Sequence, residues 1–450
     1  MSGLPENASS LKKVSIATLG CKSNQYDSFA IEETLKGRGL EVVPFPSRAD
    51  AYVINTCTVT ARTDAQSRRL VRSVQRINPD ALVIVTGCFA QVSPDEVTRM
   101  EGVDYILGNP QKERVADYVE KGRKMDRPET VANGSMDGTP LTLRARSSSK
   151  RTRATLKVQE GCSKACTYCI IPRARGASKS LPLPEVSREI DLLIENGFKE
   201  IVLTGIHLGA YGGDASGRAA LADILNLIEE KETASACRFR LSSLDPDEVT
   251  EELIEIMKGA RKICSHIHLP LQSGDNSIIK RMGRPYTREV FANTVLRLEA
   301  EVEDIFIGAD VIAGFPGEGE KEFENTYSLL KDLPVGYLHI FPFSRRPGTP
   351  AAGFAGQVDT RTIIGRSERL RGLDEEKRTA FYRSSIGKTA EVLTESFDDK
   401  GSVMRKGKAR NYVPVSFKAG PVLKNTFVNV RLLGFNGKGM TGEVAASEPS

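Results

Sequence analysis

The chain has 450 residues, which at roughly 150 residues per domain suggests about three domains. Its 40% hydrophobic and 27% charged residues are ordinary values for a globular protein and exclude a wholly disordered chain. No apolar run approaches the ~18 residues that a membrane span requires, and residues 1–13 lack the apolar core of a signal peptide. We therefore expect a cytoplasmic protein.

The formal net charge of +5 is unevenly distributed along the chain. Residues 379–446 contain 11 Lys and Arg against 5 Asp and Glu, a net charge of +6, so the remainder is close to neutral. A basic terminal module on a near-neutral body favours a polyanionic partner, most simply nucleic acid. A solvated charged face is an equally simple explanation.

Residues 11–125 alternate short β-rich runs with helix-like stretches. The predicted strands are 14–19, 51–55, 81–86 and 103–107, and the predicted helices are 28–36, 60–76 and 111–120. Short connections between alternating β and α elements indicate an α/β domain with a doubly wound parallel sheet. Residues 126–153 have no periodicity and are rich in Gly, Ser and Thr, so we expect a linker there.

Residues 154–378 repeat the alternation on a larger scale. The predicted strands are 155–159, 200–204, 238–242, 266–271, 305–312 and 336–341, and residues 361–384 are predicted to form a charged connecting helix. Six strands with intervening helices fit an open (β/α)6 barrel, whose chemistry would lie at the carboxyl ends of the strands. Residues 379–446 contain short alternating strands (389–394, 412–417 and 426–433), which is the pattern of a small β-barrel.

Three of the eight cysteines lie on one short loop, within the sequence Glu-Gly-Cys-Ser-Lys-Ala-Cys-Thr-Tyr-Cys. In a reducing compartment, clustered cysteines are read as metal ligands or reactive thiols rather than disulfides. Cys162, Cys166 and Cys169 can converge on one face, as a [4Fe–4S] cluster requires. A structural zinc site would normally need a fourth ligand, so three thiolates leave one metal position open for a substrate or cofactor.

Three further cysteines look scattered, yet each directly follows one of the first three predicted strands. They are Cys21, Cys57 and Cys88. The carboxyl ends of parallel strands share one edge of the sheet, where ligands bind, and neighbouring strands are only about 5 Å apart. These cysteines can therefore share one cluster; the alternative is that each is an ordinary small buried residue.

The cysteine loop, with Tyr168 before its third cysteine, resembles the cluster motif of the radical S-adenosylmethionine (SAM) superfamily. The resemblance implies that the loop holds a [4Fe–4S] cluster whose open iron binds SAM, which is then cleaved to a 5′-deoxyadenosyl radical. It also implies SAM contacts near the ends of later strands, although the usual Gly-Gly-Glu is absent at 202–206. The residues implied are Gly205, Arg240, Ser242, Ser243, Ile312 and Gly314, of which the glycines would permit close backbone approach.

The order of a three-cysteine α/β domain, a radical SAM barrel and a small basic β-barrel resembles the methylthiotransferase family, whose last module is the RNA-binding TRAM barrel. The motifs that carry the likeness are LGCKSNQYD at 19–27, INTCTV at 54–59, HLPLQSG at 268–274, RMGRPY at 281–286 and RRPGT at 345–349. The resemblance implies that Cys21, Cys57 and Cys88 hold a second [4Fe–4S] cluster. That cluster would present sulfur, methylated by a second SAM, for transfer to adenine C2 of a tRNA.

The motif around Cys21 is similar to the bacterial branch that acts on N6-threonylcarbamoyladenosine beside the tRNA anticodon. The branch that acts on isopentenyladenosine usually has Gln after the cysteine, and the branch that acts on a ribosomal-protein aspartate usually has Pro-Lys-Asn. Both remain alternatives, as does a non-catalytic Fe–S sensor that binds RNA. An electron donor such as flavodoxin or ferredoxin is also implied.

The threonylcarbamoyl group carries a carboxylate, which is costly to bury unpaired. We therefore expect a cation in its pocket, with Arg as a bidentate partner. The candidates are Arg284, Arg345 and Arg346, although contacts to phosphate or solvent are an equal alternative. Gln272, at a predicted strand end, is a weaker candidate for substrate contact.

Several further residues carry simpler expectations. Cys237 and Cys264 lack cluster spacing and are expected to be buried packing residues. Only one of His266 and His268 is expected to point into the barrel. In the basic tail, the densest charge is expected to contribute tRNA affinity; it comprises Lys406, Lys408 and Arg410.

Overall fold

The computed structural model describes residues 12–132, 141–146, 152–213, 220–234, 236–397, 404–419 and 424–445. The N-terminal domain is a six-stranded parallel sheet with the strand order β2-β1-β3-β4-β5-β6. Its strands are β1 (Lys13–Thr18), β2 (Glu41–Val43), β3 (Ala51–Thr56), β4 (Leu82–Gly87), β5 (Tyr105–Leu107) and β6 (Glu129–Val131). Its helices are α1 (Lys22–Gly37), α2 (Ala61–Ile77), α3 (Cys88–Val92), α4 (Pro94–Thr98) and α5 (Val115–Lys121).

Both faces of this sheet are covered, as the apolar sequences of β3 and β4 require. Every residue of these two strands is buried, which is typical of central strands in a doubly wound sheet. Tyr52 and Val83 belong to the core on one face, whereas Val53 and Ile84 belong to the core on the other. The predicted fold class is confirmed.

The two edge strands, β2 and β6, were not predicted. Each has only three residues with partly buried or exposed side chains, so neither has a hydrophobic pattern of its own. β6 lies inside the segment predicted to be a linker, which corrects that boundary because residues 129–131 pair with β5. Residues 133–140 and 147–151 of the predicted linker lie outside the described residues.

The central domain contains all six predicted strands, arranged as two three-stranded parallel sheets with the orders β11-β10-β7 and β12-β13-β14. A bridge between Phe239 and Ile263 links the two sheets. The strands are β7 (Arg153–Lys157), β8 (Gln159–Glu160), β9 (Lys179–Ser180), β10 (Glu200–Thr204), β11 (Arg238–Leu241), β12 (His266–Gln272), β13 (Phe306–Ala313) and β14 (Tyr337–Pro342). The short β8 and β9 form a separate antiparallel pair.

The helices of the central domain alternate with these strands. They are α6 (Ile171–Arg175), α7 (Leu183–Glu195), α8 (Leu221–Glu230), α9 (Glu251–Gly259), α10 (Asn276–Arg281), α11 (Arg288–Glu301), α12 (Glu320–Asp332) and α13 (Thr360–Ser384). Alternate strand residues such as Ile201, Leu203 and Phe239 join the core beneath the helices. The intervening residues, which include Arg240 and His268, therefore face the inside of the open barrel.

The C-terminal domain is a closed five-stranded barrel with the order β15-β16-β17-β19-β18. Its strands are β15 (Thr389–Phe397), β16 (Met404–Ala409), β17 (Pro414–Lys418), β18 (Phe427–Asn436) and β19 (Gly439–Val444). β16 and β19 were missed in the sequence because their charged, Gly-containing stretches lack apolar alternation. No helix within the described ranges is long and apolar enough to cross a membrane.

The C-terminal barrel packs beneath the central domain, at the amino ends of its strands. Arg238, at the start of β11, binds Glu200 at 2.7 Å and donates a 2.9 Å hydrogen bond to the carbonyl of Lys408 in β16. Phe306 and Tyr337 of the central domain belong to the core of this small barrel. The carboxyl ends of the central strands therefore face the N-terminal domain instead.

Candidate active site between the two cysteine sets

The first cysteine set lies at the carboxyl ends of three neighbouring strands, as predicted. Cys21 precedes α1, Cys57 follows β3 and Cys88 begins α3 after β4, and β3 lies between β1 and β4 in the sheet. Gly20 has φ of +99°, and a Cβ there would lie 2.7 Å from the Cys57 sulfur. Only glycine therefore allows the Cys21 turn to approach Cys57 so closely.

Burial shapes the chemistry of this first set. It raises the pKa of the Cys57 thiol to about 11, and the neighbouring Cys88 and Cys21 add to the shift. Three thiolates placed together in this way are costly without a cation. Metal binding removes that cost and releases the protons, so the set has the donor chemistry that an iron–sulfur cluster needs.

The second cysteine set lies on the loop between β8 and α6, and its three side chains are partly exposed. Burial would raise the pKa of the Cys162 thiol, but a hydrogen bond from His207 brings it below the ordinary value. Burial raises the pKa of Cys169 to about 12. Arg284 donates a 3.3 Å hydrogen bond to the Cys166 sulfur. Such hydrogen bonds favour thiolates and tune a bound cluster.

A polar network that sequence reasoning missed surrounds the second set. Lys164, inside the cysteine loop, binds Glu248 at 2.8 Å and also pairs with Asp245. His207 pairs with the same Glu248. Although burial opposes both shifts, this pairing holds the pKa of Glu248 at about 2 and raises that of His207 to about 9. Their positions in the sequence could have pointed to these residues, because His207 follows the strand β10 and Asp245 follows the strand β11.

The cysteine triads differ in spacing from two compact clusters of His, Asp and Glu side chains. Among the described residues, these two clusters place their nitrogen and oxygen atoms within 4.8 Å of one another; they are His268 with Asp310 and His339, and His207 with Asp245 and Glu248. Neither cysteine triad is among them. The thiols are therefore more widely spaced than the ligands of a single zinc ion would be, in keeping with a polynuclear cluster.

Some of the predicted SAM contacts lie close to the cysteine loop. The Ser242 hydroxyl is buried and has no hydrogen-bond partner among the described residues, which is the condition expected of a group that awaits a ligand. Ser243 is exposed. Tyr168 and Ile312 contribute to one small apolar cluster with Phe315, which provides an apolar wall beside the second cysteine set.

Arg240 is bound mainly by other residues of the chain, although its Nη2 atom is buried without a hydrogen-bond partner among the described residues, and its contact with SAM remains a prediction. Its buried guanidinium binds Glu200 at 2.9 Å and donates a hydrogen bond to the carbonyl of Arg410 at 3.1 Å. It also lies over the ring of Tyr412. Arg240 therefore points toward the C-terminal barrel, at the end of the central domain opposite the cysteine loop.

Packing within the protein requires glycine at the two positions predicted to contact SAM. A Cβ at Gly205 would lie 2.7 Å from the side-chain oxygen of Gln159, and one at Gly314 would lie 2.3 Å from Ile363. Gly314 also has φ of +81°. The contact of these two glycines with SAM remains a prediction.

The expectation that His266 and His268 face opposite sides was wrong. Residues two apart on a strand share a face, and both rings approach the Tyr337 hydroxyl, at 2.9 and 3.1 Å. Cys237 and Cys264 are buried as predicted. Gln272 ends β12 with a left-handed φ of 64°, and its contact with substrate remains a prediction.

Two of the three arginines suggested for the substrate carboxylate are engaged elsewhere. Arg346 is buried against the N-terminal domain, where it binds Asp64 at 2.6 Å and Thr58 at 2.7 Å. Arg284 pairs with Asp245 and the Cys166 sulfur. These contacts explain why the RRPGT and RMGRPY motifs matter structurally, and they leave Arg345, which is exposed, as the remaining sequence candidate.

A buried charge network joins the two domains directly behind the cysteine sets. Asp27 binds Lys112 and Lys157, each at 2.6 Å. Glu160, which precedes the cysteine loop, binds Lys157 at 2.6 Å and Arg175 at 2.8 Å. Buried charges persist only when paired in this way, so the network fixes the relative position of the two domains that carry the cysteine sets.

Asn24 connects this network to the first cysteine set. Its amide nitrogen donates to the carbonyls of Leu19 and Thr56, each at 2.8 Å. These carbonyls belong to the turns that carry Cys21 and Cys57. Its amide oxygen accepts from Lys112 at 3.2 Å and from Arg175. The motif LGCKSNQYD therefore supplies a cysteine of the first set, the support of that cysteine and the contact between the domains in one segment.

Comparisons with known proteins agree with this architecture. Residues 13–108 match the family described as Uncharacterized protein family UPF0004, and residues 156–330 match the Radical SAM superfamily. In overall fold the chain is similar to TsrM, a radical SAM methyltransferase from Kitasatospora setae. The TM-score is 0.55 at 14% identity, covering 83% of this chain and 88% of that one.

Sequence relatives are much closer. The threonylcarbamoyladenosine tRNA methylthiotransferase MtaB of Bacillus subtilis is 38% identical, with 93% of each chain covered. MtaB of Thermotoga maritima is 36% identical over 95% of this chain and 96% of its own. The tRNA-2-methylthio-N(6)-dimethylallyladenosine synthase of Fusobacterium nucleatum is 32% identical over 94% and 97%. The chain therefore belongs to the radical SAM tRNA methylthiotransferase family.

Proposed function

We propose that this protein converts N6-threonylcarbamoyladenosine, next to the anticodon of tRNA, into its 2-methylthio derivative. The observation that carries the proposal is the pair of three-cysteine sets, carried by two domains that a buried charge network joins. The substrate is supported by five relatives named for threonylcarbamoyladenosine, at 33–39% identity. Relatives named for dimethylallyladenosine are 30–32% identical.

We assign the cofactors from the donor sets. Cys162, Cys166 and Cys169 would hold the [4Fe–4S] cluster that binds SAM, and the set formed by Cys21, Cys57 and Cys88 would hold a second [4Fe–4S] cluster. Bound there, the clusters and SAM supply the one-electron chemistry and the methylthio group.

The side chains around these sets act by position and charge. Arg284 and His207 would donate hydrogen bonds to the Cys166 and Cys162 sulfurs and so orient these two ligands. Ser242 offers its unpartnered hydroxyl to SAM, while Tyr168 and Ile312 exclude water on one side. These groups orient the reactants and keep the site dry, which is how a protein assists chemistry that its cofactors perform.

The domain roles follow the proposed boundaries of 11–125, 154–378 and 379–446, with the strand β6 (Glu129–Val131) added to the N-terminal domain. The C-terminal barrel would bind tRNA through its outer face. Arg410 is not available for that purpose, because its guanidinium donates to the carbonyls of Ala260, Arg261 and Ile263. Lys408 is partly buried over the ring of Tyr412.

The positions of Arg410 and Lys408 correct the prediction that these two residues contact tRNA. We assign the basic contact with tRNA to three exposed residues of the barrel instead. They are Lys406, Lys418 and Arg431, on β16, β17 and β18. A small electron-transfer protein such as flavodoxin or ferredoxin would supply electrons, and the cytoplasm is the expected location.

Nucleoside analysis tests the proposal. The reconstituted protein is given tRNA bearing the threonylcarbamoyl group and, separately, isopentenylated tRNA, with SAM and a reductant. Digestion and mass measurement should show a methylthio product from the first tRNA only. Preferential conversion of the isopentenylated tRNA would overturn the substrate assignment, and failure to cleave SAM would favour a non-catalytic RNA-binding sensor.

A further inference from the structure

The last strand of the central barrel, β14, carries a row of aromatic side chains on one face. Leu338 and Ile340 of this strand pack into the core beneath the helices. The alternate residues, Tyr337, His339 and Phe341, therefore face the inside of the open barrel. Tyr337 is buried, but the side chain of His339 is 53% exposed and Phe341 is 40% exposed. An exposed aromatic wall thus lines the barrel toward the carboxyl end of β14.

His339 is held in place by its neighbours. Its Nδ1 atom lies 3.4 Å from the carboxylate of Asp310, which also binds His268 at 2.7 Å. The centre of the His339 ring lies 4.8 Å from that of His268 and 5.2 Å from that of Tyr337. The aromatic wall is therefore fixed before any ligand arrives, which lowers the entropic cost of binding to it.

Strand pairing places Phe341 beside the second cysteine set. Phe341 lies in register with Ile312 on the neighbouring strand β13, and paired strands are about 4.8 Å apart. Ile312 belongs to the same apolar cluster as Tyr168, which directly precedes Cys169. The ring of Phe341 is therefore close to the loop that would hold the SAM-binding cluster.

The chain that follows Phe341 contacts the segment of the first cysteine set. The Ser344 hydroxyl accepts a 3.0 Å hydrogen bond from the backbone nitrogen of Ala61, the residue that begins α2. Val59, between Cys57 and Ala61, is 43% exposed. Each domain therefore presents an exposed apolar residue at this junction, Phe341 from the central domain and Val59 from the N-terminal domain.

We propose that His339 and Phe341 form the surface on which the adenine ring of the substrate nucleotide stacks. This inference rests on the proposed function, which requires the ring to reach both cysteine sets. Proteins that recognise single-stranded loops of RNA stack splayed-out bases on aromatic side chains, and a base that undergoes enzymatic chemistry leaves the stack of its neighbours. An aromatic wall that is open, fixed and adjacent to both cysteine sets is suited to receive such a base.

Stacking contacts the face of the adenine ring and leaves its edges free. The C2 atom and the threonylcarbamoyl group both lie at those edges, so stacking obstructs neither the reacting carbon nor the modification. It fixes the plane of the ring, which is the positional control that transfer between two fixed sites requires. Phe341 is thus a positioning residue, and its loss should affect how well SAM cleavage is coupled to methylthio transfer.

A binding comparison tests the proposal with the reconstituted full-length protein. Two anticodon stem-loop RNAs are competed, one with threonylcarbamoyladenosine and one with an abasic site at the same position. The unchanged protein should prefer the RNA that has the base. Phe341→Ala should reduce this preference by about five- to a hundred-fold, the usual effect of removing one stacking contact, whereas Phe341→Tyr should retain it. Leu296→Ala, at an exposed apolar residue of the outer helix α11, should behave like the unchanged protein.

His339 is tested in the same competition. His339→Ala should reduce the preference for the base, and His339→Phe, which keeps an aromatic ring, should retain most of it. Coupling gives a second readout that a merely structural role would not move. Phe341→Ala should form several-fold more 5′-deoxyadenosine for each methylthio product than the unchanged protein does, and Phe341→Tyr should restore the ratio.

Two results would overturn the proposal. One is a preference for the base that persists in Phe341→Ala, and the other is equal weakening of both RNAs, since that result would assign the wall to the RNA backbone. Iron content is measured in each variant, so that loss of a cluster is recognised. Failure of the unchanged protein to convert the threonylcarbamoyl RNA would instead count against the proposed function.

Discussion

The two ends of the central barrel are both built on buried ion pairs, yet they differ in net charge. At the carboxyl end, two carboxylates face three cations; the residues are Asp27, Glu160, Lys112, Lys157 and Arg175. One positive charge is therefore in excess beside the first cysteine set. Burial opposes it, but Cys88 and the carboxylates raise the pKa of Arg175 well above its usual value.

At the amino end, the charges of the ion-paired residues balance. Glu200 binds three arginines, namely Arg153, Arg238 and Arg240, and the C-terminal barrel adds the carboxylates of Glu391 and Glu395. A balanced network fastens two domains together. A network with excess positive charge can also favour thiolates beside it. The network at the carboxyl end therefore suits a reactive site, whereas the network at the amino end only joins two domains.

The largest effect is expected from removing either set of cysteines. With both clusters present we expect about eight irons per chain. Changing Cys162, Cys166 and Cys169 together to Ala should leave about half the iron and abolish SAM cleavage. Changing Cys21, Cys57 and Cys88 should also leave about half, but should abolish methylthio transfer while SAM is still cleaved. These expectations are checked by measuring the iron content of each variant and the 5′-deoxyadenosine that it forms. Loss of all iron in either variant would contradict the presence of two separate clusters.

Substitutions in the two charge networks test whether the two ends of the central barrel differ in function. Asp27→Asn and Glu200→Gln each leave buried cations unpaired, and each should destabilise folding by about 3–5 kcal/mol, measured by urea unfolding. Only Asp27→Asn should reduce the iron held by the first cysteine set. Equal iron loss in both variants would show that the two ends do not differ in function.

The Asp27 contribution should also depend on pH. Burial alone would raise the pKa of this carboxyl, but Lys112, Lys157 and Arg175 hold it well below the ordinary range. Its stabilisation is therefore fully present above pH ~4 and is lost as the pH falls below that value toward the folded-state pKa. The stability difference between the unchanged protein and Asp27→Asn should shrink on acidification; a constant difference would contradict this account.

A smaller effect, on tRNA binding, is expected from substitutions in the C-terminal barrel. Changing Lys406, Lys418 and Arg431 to Gln should weaken tRNA binding several-fold and make its salt dependence shallower, because fewer counterions are released. Arg410→Gln, which loses contacts to carbonyls of the central domain, should reduce stability and leave the salt slope intact. Filter binding across a series of salt concentrations measures the tRNA affinity and its salt dependence for both variants. An unchanged salt dependence in the triple variant would show that this face of the barrel does not contact tRNA.

The smallest expected effect concerns Ser242. If its buried hydroxyl binds SAM, Ser242→Ala should weaken SAM binding by about 0.5–1.5 kcal/mol and leave folding stability unchanged or slightly higher, since an unpartnered polar atom is removed. Ser243→Ala, at the exposed neighbour, serves as the control. Equal SAM affinity in the two variants would remove Ser242 from the site.

Residues whose role depends on distant partners were the hardest to assign from the sequence. Arg240 sits at a strand position where a ligand contact was expected, but its partners are Glu200 and the Arg410 carbonyl, 40 and 170 positions away. The histidine error was different, since strand periodicity alone places His266 and His268 on one face.

By itself, the sequence determined the alternation of β and α elements, the local cysteine loop and the placement of three more cysteines after successive strands. These features are local, because strand periodicity and loop spacing are set by neighbouring residues. Only the tertiary structure decided which charged residues seal an interface. Whether Arg346 is available to a ligand depends on its pairing with Asp64 across the domains, and a buried charge takes whatever partner the fold brings to it.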